Sequence, residues 1–164
     1  LKGTINPLNF YALSKATVDY WVMDNMDRFE QIQGFRYFNV YGEGEEHKGD
    51  QASPISKFTK QAKETKVIKI FEDSEYAFRD FVCVDDVVDV VLDNTAGSGI
   101  YDVGTGNPIS FLEIAELIAK KEGAEIEVIP FPKHLEGKYQ EYTCADTSWY
   151  SHDYTEVKHY LHRK

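Results

Sequence analysis

Apolar and polar positions change period repeatedly along the chain, from helical spacing to short apolar or alternating runs and back. From Phe10 to about Phe29 the spacing predicts a helix, with Tyr11, Lys15, Val18 and Val22 on one face and Asp19, Asp24 and Asp27 largely elsewhere. Asn9, closing the turn chemistry of Asn6-Pro7-Leu8, is its expected N-cap. Residues 34–41 are rich in strand formers, bounded by Gly34 and Gly42, and apolar on both faces except at Arg36 and Asn39. That is the pattern of a strand buried inside a parallel sheet. A polar, glycine-rich loop runs on to Asp50.

Further along, Ser53 to about Lys63 predicts a short helix with Pro54 in its first turn. Strands follow at 67–71 and 81–84, then a helix capped by Asp85 with Val87, Val88, Val91 and Leu92 at helical spacing. Residues 99–104 read as a strand ending in a glycine turn. Ser110 and Glu113 form a capping box for a helix that stops at Gly123. Glu125 to Pro130 alternates, as a half-exposed strand does. Helices and strands alternate throughout, so the fold class is α/β.

Composition narrows the partners. The 164 residues suffice for one modest domain, and a net charge of −10 argues against nucleic acid or an anionic membrane surface. No run is long and apolar enough for a membrane span. The 2 cysteines, Cys83 and Cys144, sit in no paired motif and read as reduced thiols, which points to the cytoplasm. His47, His134, His152 and His159 share no ligand spacing, so no metal site is expected. An acidic chain that binds an anionic ligand must concentrate its cations locally.

Tyr11 and Lys15 stand one helical turn apart, so their side chains meet. A cation beside a phenol favours the phenolate, which suits proton exchange with a substrate hydroxyl. Taken alone, the pair reads more readily as a core tyrosine and a surface lysine. Near the start, no G-x-G-x-x-G runs into a helix to cradle a pyrophosphate. Gly42-Glu43-Gly44 leads to Glu45-Glu46-His47 instead, and Gly104-Thr105-Gly106 runs into Asn107-Pro108 as a turn.

The segment Tyr11-Ala12-Leu13-Ser14-Lys15, followed by Arg36-Tyr37-Phe38-Asn39-Val40-Tyr41-Gly42, resembles the extended short-chain dehydrogenase/reductases. So does Arg79-Asp80-Phe81-Val82-Cys83-Val84-Asp85-Asp86-Val87, and Tyr101 to Gly106 is similar to the family's following turn, with Asp102 where Asn is usual. Within that family, His47-Lys48-Gly49, Pro130-Phe131-Pro132 and Leu135 to Gln140 resemble the ADP-heptose 6-epimerases. The resemblance implies an α/β fold corresponding to the C-terminal part of such an enzyme. This is the last Rossmann helix and strand plus the small substrate-binding domain, with the N-terminal dinucleotide-binding part absent. Residues 1–50 would be the Rossmann remnant and residues 51–164 mainly the substrate domain, some segments returning to pack on the first part.

The same resemblance implies Tyr11, Lys48 and Lys15 as catalytic residues, Lys48 being a second acid/base that faces Tyr11 across the substrate. It implies Tyr11, Lys15, Val40 and Lys48 as contacts to NADP, with NAD as the alternative, the cofactor being held mainly by the missing N-terminal half. Substrate contacts would be Asn39, Lys57, Phe71, Glu72, Asp73, Ser74, Arg79 and Tyr139. Three further positions depart from the pattern: Asp50 replaces a Ser, Lys57 a His, and Asp73 the Gly of an F-E-G-S segment. Lys15, Lys48, Lys57 and Arg79 are the local cations expected at an ADP-sugar.

The expected reaction inverts C6 of ADP-D-glycero-D-manno-heptose through a transient 6-keto species. The chain alone is expected to be inactive, because it has no fold for the dinucleotide. Other nucleotide-sugar 4-epimerases or 4,6-dehydratases, a non-catalytic sugar-nucleotide-binding module, and a subunit whose N-terminal half is a separate polypeptide are the alternatives. Strand 34–41 would offer such a partner an unpaired apolar edge, and a lone chain would self-associate to cover it.

Overall fold

The fold is taken from a computed structural model, which describes residues 7, 9–133 and 140–163. The first helix, α1 (Phe10–Asp24), is capped as its sequence demands, Asn9 Oδ1 accepting the N–H of Ala12 at 2.8 Å. It ends earlier than its apolar pattern suggests. Asn25 leaves helical geometry and turns its side chain back to donate to Trp21 O at 2.7 Å, and residues 26–28 continue as a single 3-10 turn. Only Ala16 and Val22 of α1 are buried, so the expected common face of Tyr11, Lys15, Val18 and Val22 is not its buried face. Tyr11 is 71% exposed, and Phe10, Leu13, Val18, Tyr20 and Trp21 are also open.

The strand expected at 34–41 is two strands, β1 (Gln33–Tyr37) and β2 (Asn39–Tyr41), with different partners. β1 runs parallel to β6 (Gly99–Val103), whereas β2 runs parallel to β5 (Phe81–Cys83). At the break, Phe38 donates its N–H to Val103 O and Asn39 donates to Asp80 O, both at 3.0 Å. The chain thus passes from one neighbour to the other without losing a backbone bond. Burial along β1 is half-way rather than complete. Arg36 ties three elements together, with its Nε 2.8 Å from Asp19 Oδ2 on α1 and its Nη1 3.6 Å from Asp102 Oδ1 on β6.

After a loop containing a 3-10 segment (Glu46–Gln51) comes α2 (Pro54–Thr65), whose N-cap Ser53 accepts the N–H of Ser56. β3 (Val67–Phe71) then pairs in parallel with β8 (Glu125–Ile129), and β4 (Phe78–Arg79) pairs antiparallel with β7 (Ile109–Ser110). The helix α3 (Val84–Asp93) starts one residue before the expected cap, so Asp85 lies in its first turn and does not cap it. Its buried face is Asp86, Val87 and Val90, while Val88 and Leu92 point outward. The helix α4 (Phe111–Glu122) keeps half of the capping box, Ser110 Oγ accepting from Glu113 N, and stops at Gly123 with φ 63°. A short α5 (Val157–His162) closes the described chain.

Two apolar cores result. The larger joins Ile55, Phe58 and Ala62 of α2, Ile68 and Ile70 of β3, Ile114, Ala115 and Ile118 of α4, and Val157 and Leu161 of α5. Each of the Ile, Leu, Val and Phe side chains contributes about 1.5–3 kcal/mol on burial. The smaller gathers Val82, Val87, Val90 and Val103, with Phe35, Val40 and Trp149 packed against them. Cys83 is buried in the larger core, as an apolar strand position should be. No helix among the described residues is long and apolar enough to cross a membrane.

Candidate functional site

The side chains expected at the site fall into three groups on separate elements. On α1, Lys15 Nζ lies over the Tyr11 ring, 5.2 Å from its centroid, on the helix's open side. One helical turn sets this contact, and it places the ammonium on the ring face.

The second group is the loop after β2. Lys48 sits in the 3-10 segment with its Nζ 3.5 Å from Glu45 Oε1. Glu45 is itself buried, and its carboxylate accepts Ser53 N at 3.0 Å and Ser53 Oγ at 2.6 Å. Gly49 follows with φ 52° and ψ −122°, a conformation only glycine adopts without strain, which accounts for the glycine of His47-Lys48-Gly49.

The third group lines a cavity of about 1240 Å3 between that loop, α2 and the end of β3. Lys57, Phe71, Glu72, Asp73 and Ser74 line it, together with the departing residue Asp50. Tyr11, Lys15, Asn39, Val40, Lys48 and Arg79 are not among its lining residues. Of the four expected local cations, the fold therefore brings Lys57 alone to this wall; the neighbouring lysines Lys60 and Lys63 of α2 stand with it. Acidic side chains are plentiful there, including Glu43, Glu45, Glu46, Glu72 and Glu141, and Lys69 and Lys121 add positive charge outside α2.

Asp73 has φ 62°, which explains the glycine usual at this turn. Ser74 Oγ donates to Phe71 O at 2.6 Å and keeps the turn closed. Arg79 is buried, donates to the carbonyls of Phe78 and Gln140, and lies 5.7 Å from the centroid of the Phe111 ring. Asn39 and Val40 sit on β2 beside Phe81 and Val82 of β5. Tyr139 lies outside the described residues.

Two residues of this region escape a reading of local pattern. Asp80, fully buried, accepts from Thr105 N (2.8 Å), Thr105 Oγ1 (2.7 Å), Gly106 N (2.9 Å) and Ala145 N (3.0 Å). It thereby fixes the turn after β6 and the strand-like 140s segment around Arg79. Its place directly after Arg79 was the available signal. Glu45 stands in an acidic loop whose pattern reads as solvated surface, so nothing local marked it as buried. Among the described residues no group of three or more His, Cys, Asp or Glu is placed to hold a metal ion.

Residues 1–104 match the NAD dependent epimerase/dehydratase family. The chain belongs to that family. Over 152 residues it is 44% identical to an ADP-L-glycero-D-manno-heptose-6-epimerase of Alkalilimnicola ehrlichii, covering 87% of this chain and 48% of that protein. A protein of the same name from Brachyspira hyodysenteriae is 46% identical over 147 residues, covering 85% of this chain and 46% of the relative. The crystal structure of the Helicobacter pylori ADP-L-glycero-D-manno-heptose-6-epimerase superposes with a TM-score of 0.80 at 27% identity, covering 96% of this chain and 50% of that one. The Thermus thermophilus UDP-glucose 4-epimerase, solved with NAD, superposes at 0.68 with 25% identity, covering 86% and 46%. The likeness to the heptose 6-epimerases, read first from the loop and the Pro130-Phe131-Pro132 segment, is borne out. The chain spans about half the length of the curated relatives it matches.

The residues present fit one end of a nicotinamide dinucleotide. An open phenol and an adjacent ammonium on α1 are donors suited to a ribose and a reacting carbinol.

Proposed function

We propose that this chain carries the substrate side of an epimerase that inverts C6 of ADP-D-glycero-D-manno-heptose to the L-glycero epimer, in heptose precursor synthesis for lipopolysaccharide. The observation that carries the reading is the 44–46% identity to proteins of that name across 85–87% of the chain. Inverting a carbinol by oxidation and re-reduction places the hydroxyl on opposite sides in substrate and product. A proton-transfer group is wanted on each side. Tyr11 serves one and Lys48 the other, while Lys15 holds Tyr11 and a ribose hydroxyl. When bound, NADP supplies the acceptor and donor of hydride; Tyr11, Lys15, Val40 and Lys48 are its contacts here, and NAD is the alternative.

The lysine-lined wall of α2 at Lys57, with the Phe71–Ser74 turn, is the expected seat of the sugar nucleotide, and Asn39, Arg79 and Tyr139 complete the substrate contacts. Residues 1–50 then form the Rossmann-side part and 51–164 mainly the substrate side. The open apolar side of α1 supports a covering partner, either a dinucleotide-binding segment or a second copy. Two free cysteines, Cys83 and Cys144, favour a reducing compartment such as the cytoplasm.

The purified chain should neither bind NADP by calorimetry nor epimerise ADP-D-glycero-D-manno-heptose. Micromolar binding of NADP would overturn the need for further dinucleotide-binding residues. Joined to the dinucleotide-binding segment of a heptose epimerase, the chain should gain activity. Tyr11→Phe and Lys48→Ala should each then lower kcat by about 10²–10⁴-fold, the range for general acid–base groups. Unchanged epimerisation in Lys48→Ala would remove that residue from the mechanism.

A further inference from the structure

The carboxylate of Glu45 is 6% exposed in a loop of otherwise solvated charges, and it is not left to find its own position. Its Oε2 accepts the hydroxyl of Ser53 at 2.6 Å and its Oε1 accepts the Ser53 N–H at 3.0 Å. Ser53 in turn is the N-cap of α2 and accepts the N–H of Ser56 at 3.2 Å. Ser53 Oγ accepts that N–H on a lone pair and gives its own proton to Glu45 Oε2, so the carboxylate is the acceptor in both of its bonds to Ser53. A buried carboxylate in this state needs a cation, and Lys48 Nζ stands 3.5 Å from Oε1. The backbone adds a second tie, Lys48 N–H donating to Glu45 O at 2.9 Å.

We propose that Glu45 is the positioning residue of Lys48, a carboxylate locked to the N-terminus of α2 that holds the loop amine where it can exchange a proton with substrate. This rests on the reading of Lys48 as the second acid/base. Its consequence is a mechanical link. The first turns of α2, at Ser56 and Lys57, line the cavity, and so does Glu45. A ligand seated against α2 therefore meets the same rigid unit that holds the lysine. Substrate placement and proton transfer share one support.

The test begins on the purified chain. Amines are acylated with a small active ester, and the rate at Lys48 is expressed relative to Lys60, whose side chain is 72% exposed. An amine paired with a buried carboxylate reacts slowly. Glu45→Gln should raise the Lys48:Lys60 ratio roughly two- to fivefold, the range expected for losing one partly exposed ion pair. Ser53→Ala, which keeps the charge but removes its anchor, should raise the ratio by less. A flat ratio in folded Glu45→Gln overturns the proposal. If Glu45→Gln fails to fold by circular dichroism, Ser53→Ala decides, and a flat ratio there overturns it equally.

In the joined enzyme described above, Glu45→Gln should lower kcat while KM stays near its starting value, and Glu45→Asp should restore part of the loss. A raised KM with kcat unchanged would overturn the positioning role. A raised labelling ratio with unchanged epimerisation in Lys48→Ala would sink the acid/base reading of Lys48 while leaving its coupling to Glu45 intact, so the two failures are distinguishable.

Discussion

The carboxylate of Asp80 accepts the backbone N–H of Ala145 at 3.0 Å, across a sequence separation of 65 residues. The same side chain closes the Thr105–Gly106 turn, so one buried anion joins β5, the end of β6 and the segment leading past Arg79. Gly104 is needed there, because a Cβ would stand 2.7 Å from Ala145 Cβ and 2.8 Å from Asp80 Oδ2.

Replacing that acceptor should be costly. Asp80→Asn keeps the shape but turns an amide N–H₂ towards groups that are all donors. The expected loss is about 2–5 kcal/mol, the range for stranding buried donors or breaking a buried charged network. Urea unfolding monitored by tryptophan fluorescence measures it directly, and a loss below about 1 kcal/mol would mean that water replaces the carboxylate.

Gly42 closes the N-V-Y-G run for a steric reason: a Cβ there would lie 2.4 Å from Val84 Cγ1. Gly42→Ala should destabilise by about 1–3 kcal/mol through overpacking. Val84→Ala in the same chain should recover a clear part of that loss. A double-mutant cycle with no coupling energy would contradict the contact.

Asp73 tests backbone geometry on the cavity wall. At φ 62°, Asp73→Val should cost about 1–2 kcal/mol, since a β-branched residue resists the left-handed region. Asp73→Gly should stay within about 1 kcal/mol of the parent, because relief of φ offsets the added freedom of the unfolded chain. Thermal melting of the three proteins orders them.

Alkali should weaken the fold through Cys83 and Tyr41. Burial pushes the Cys83 thiol above its ordinary 9.0, and burial likewise raises the Tyr41 hydroxyl, which donates to Thr155 O at 3.0 Å. A raised folded value means that the native state keeps a proton the unfolded chain releases. The stabilisation is therefore complete below pH 9.0 and declines as pH rises above the ordinary thiol value and then above the ordinary 10.0 of tyrosine. Urea midpoints should fall from about pH 9 upward, and Cys83→Ala should flatten the first part of that decline. In native protein, a thiol reagent should modify exposed Cys144 at once and Cys83 only on unfolding.

Local chemistry was legible where its cause is local. The Asn9 cap, Pro54 at the start of α2, the Ser110 cap of α4, and the Gly123 stop are each decided within a helical turn, and each is found as the sequence implies. The same holds for Tyr11 and Lys15, whose contact is one turn of α1, and for the glycine demanded after Lys48. The strand at 34–41 was legible as extended chain but not as two strands. Its break at Phe38 depends on the separate partners Val103 and Asp80, which come from distant segments.

The sequence by itself determined the alternation of helices and strands, the helix ends at Asn9, Ser110 and Gly123, and the kinship to nucleotide-sugar epimerases, because period, capping and motif are short-range properties. Only the tertiary structure decided which face of α1 is buried, that Lys57 and not Arg79 lines the cavity, and that Lys48 meets Glu45. Burial is the physical reason. A carboxylate such as Glu45 or Asp80 becomes an organising group only when the fold removes water and leaves it a fixed set of donors.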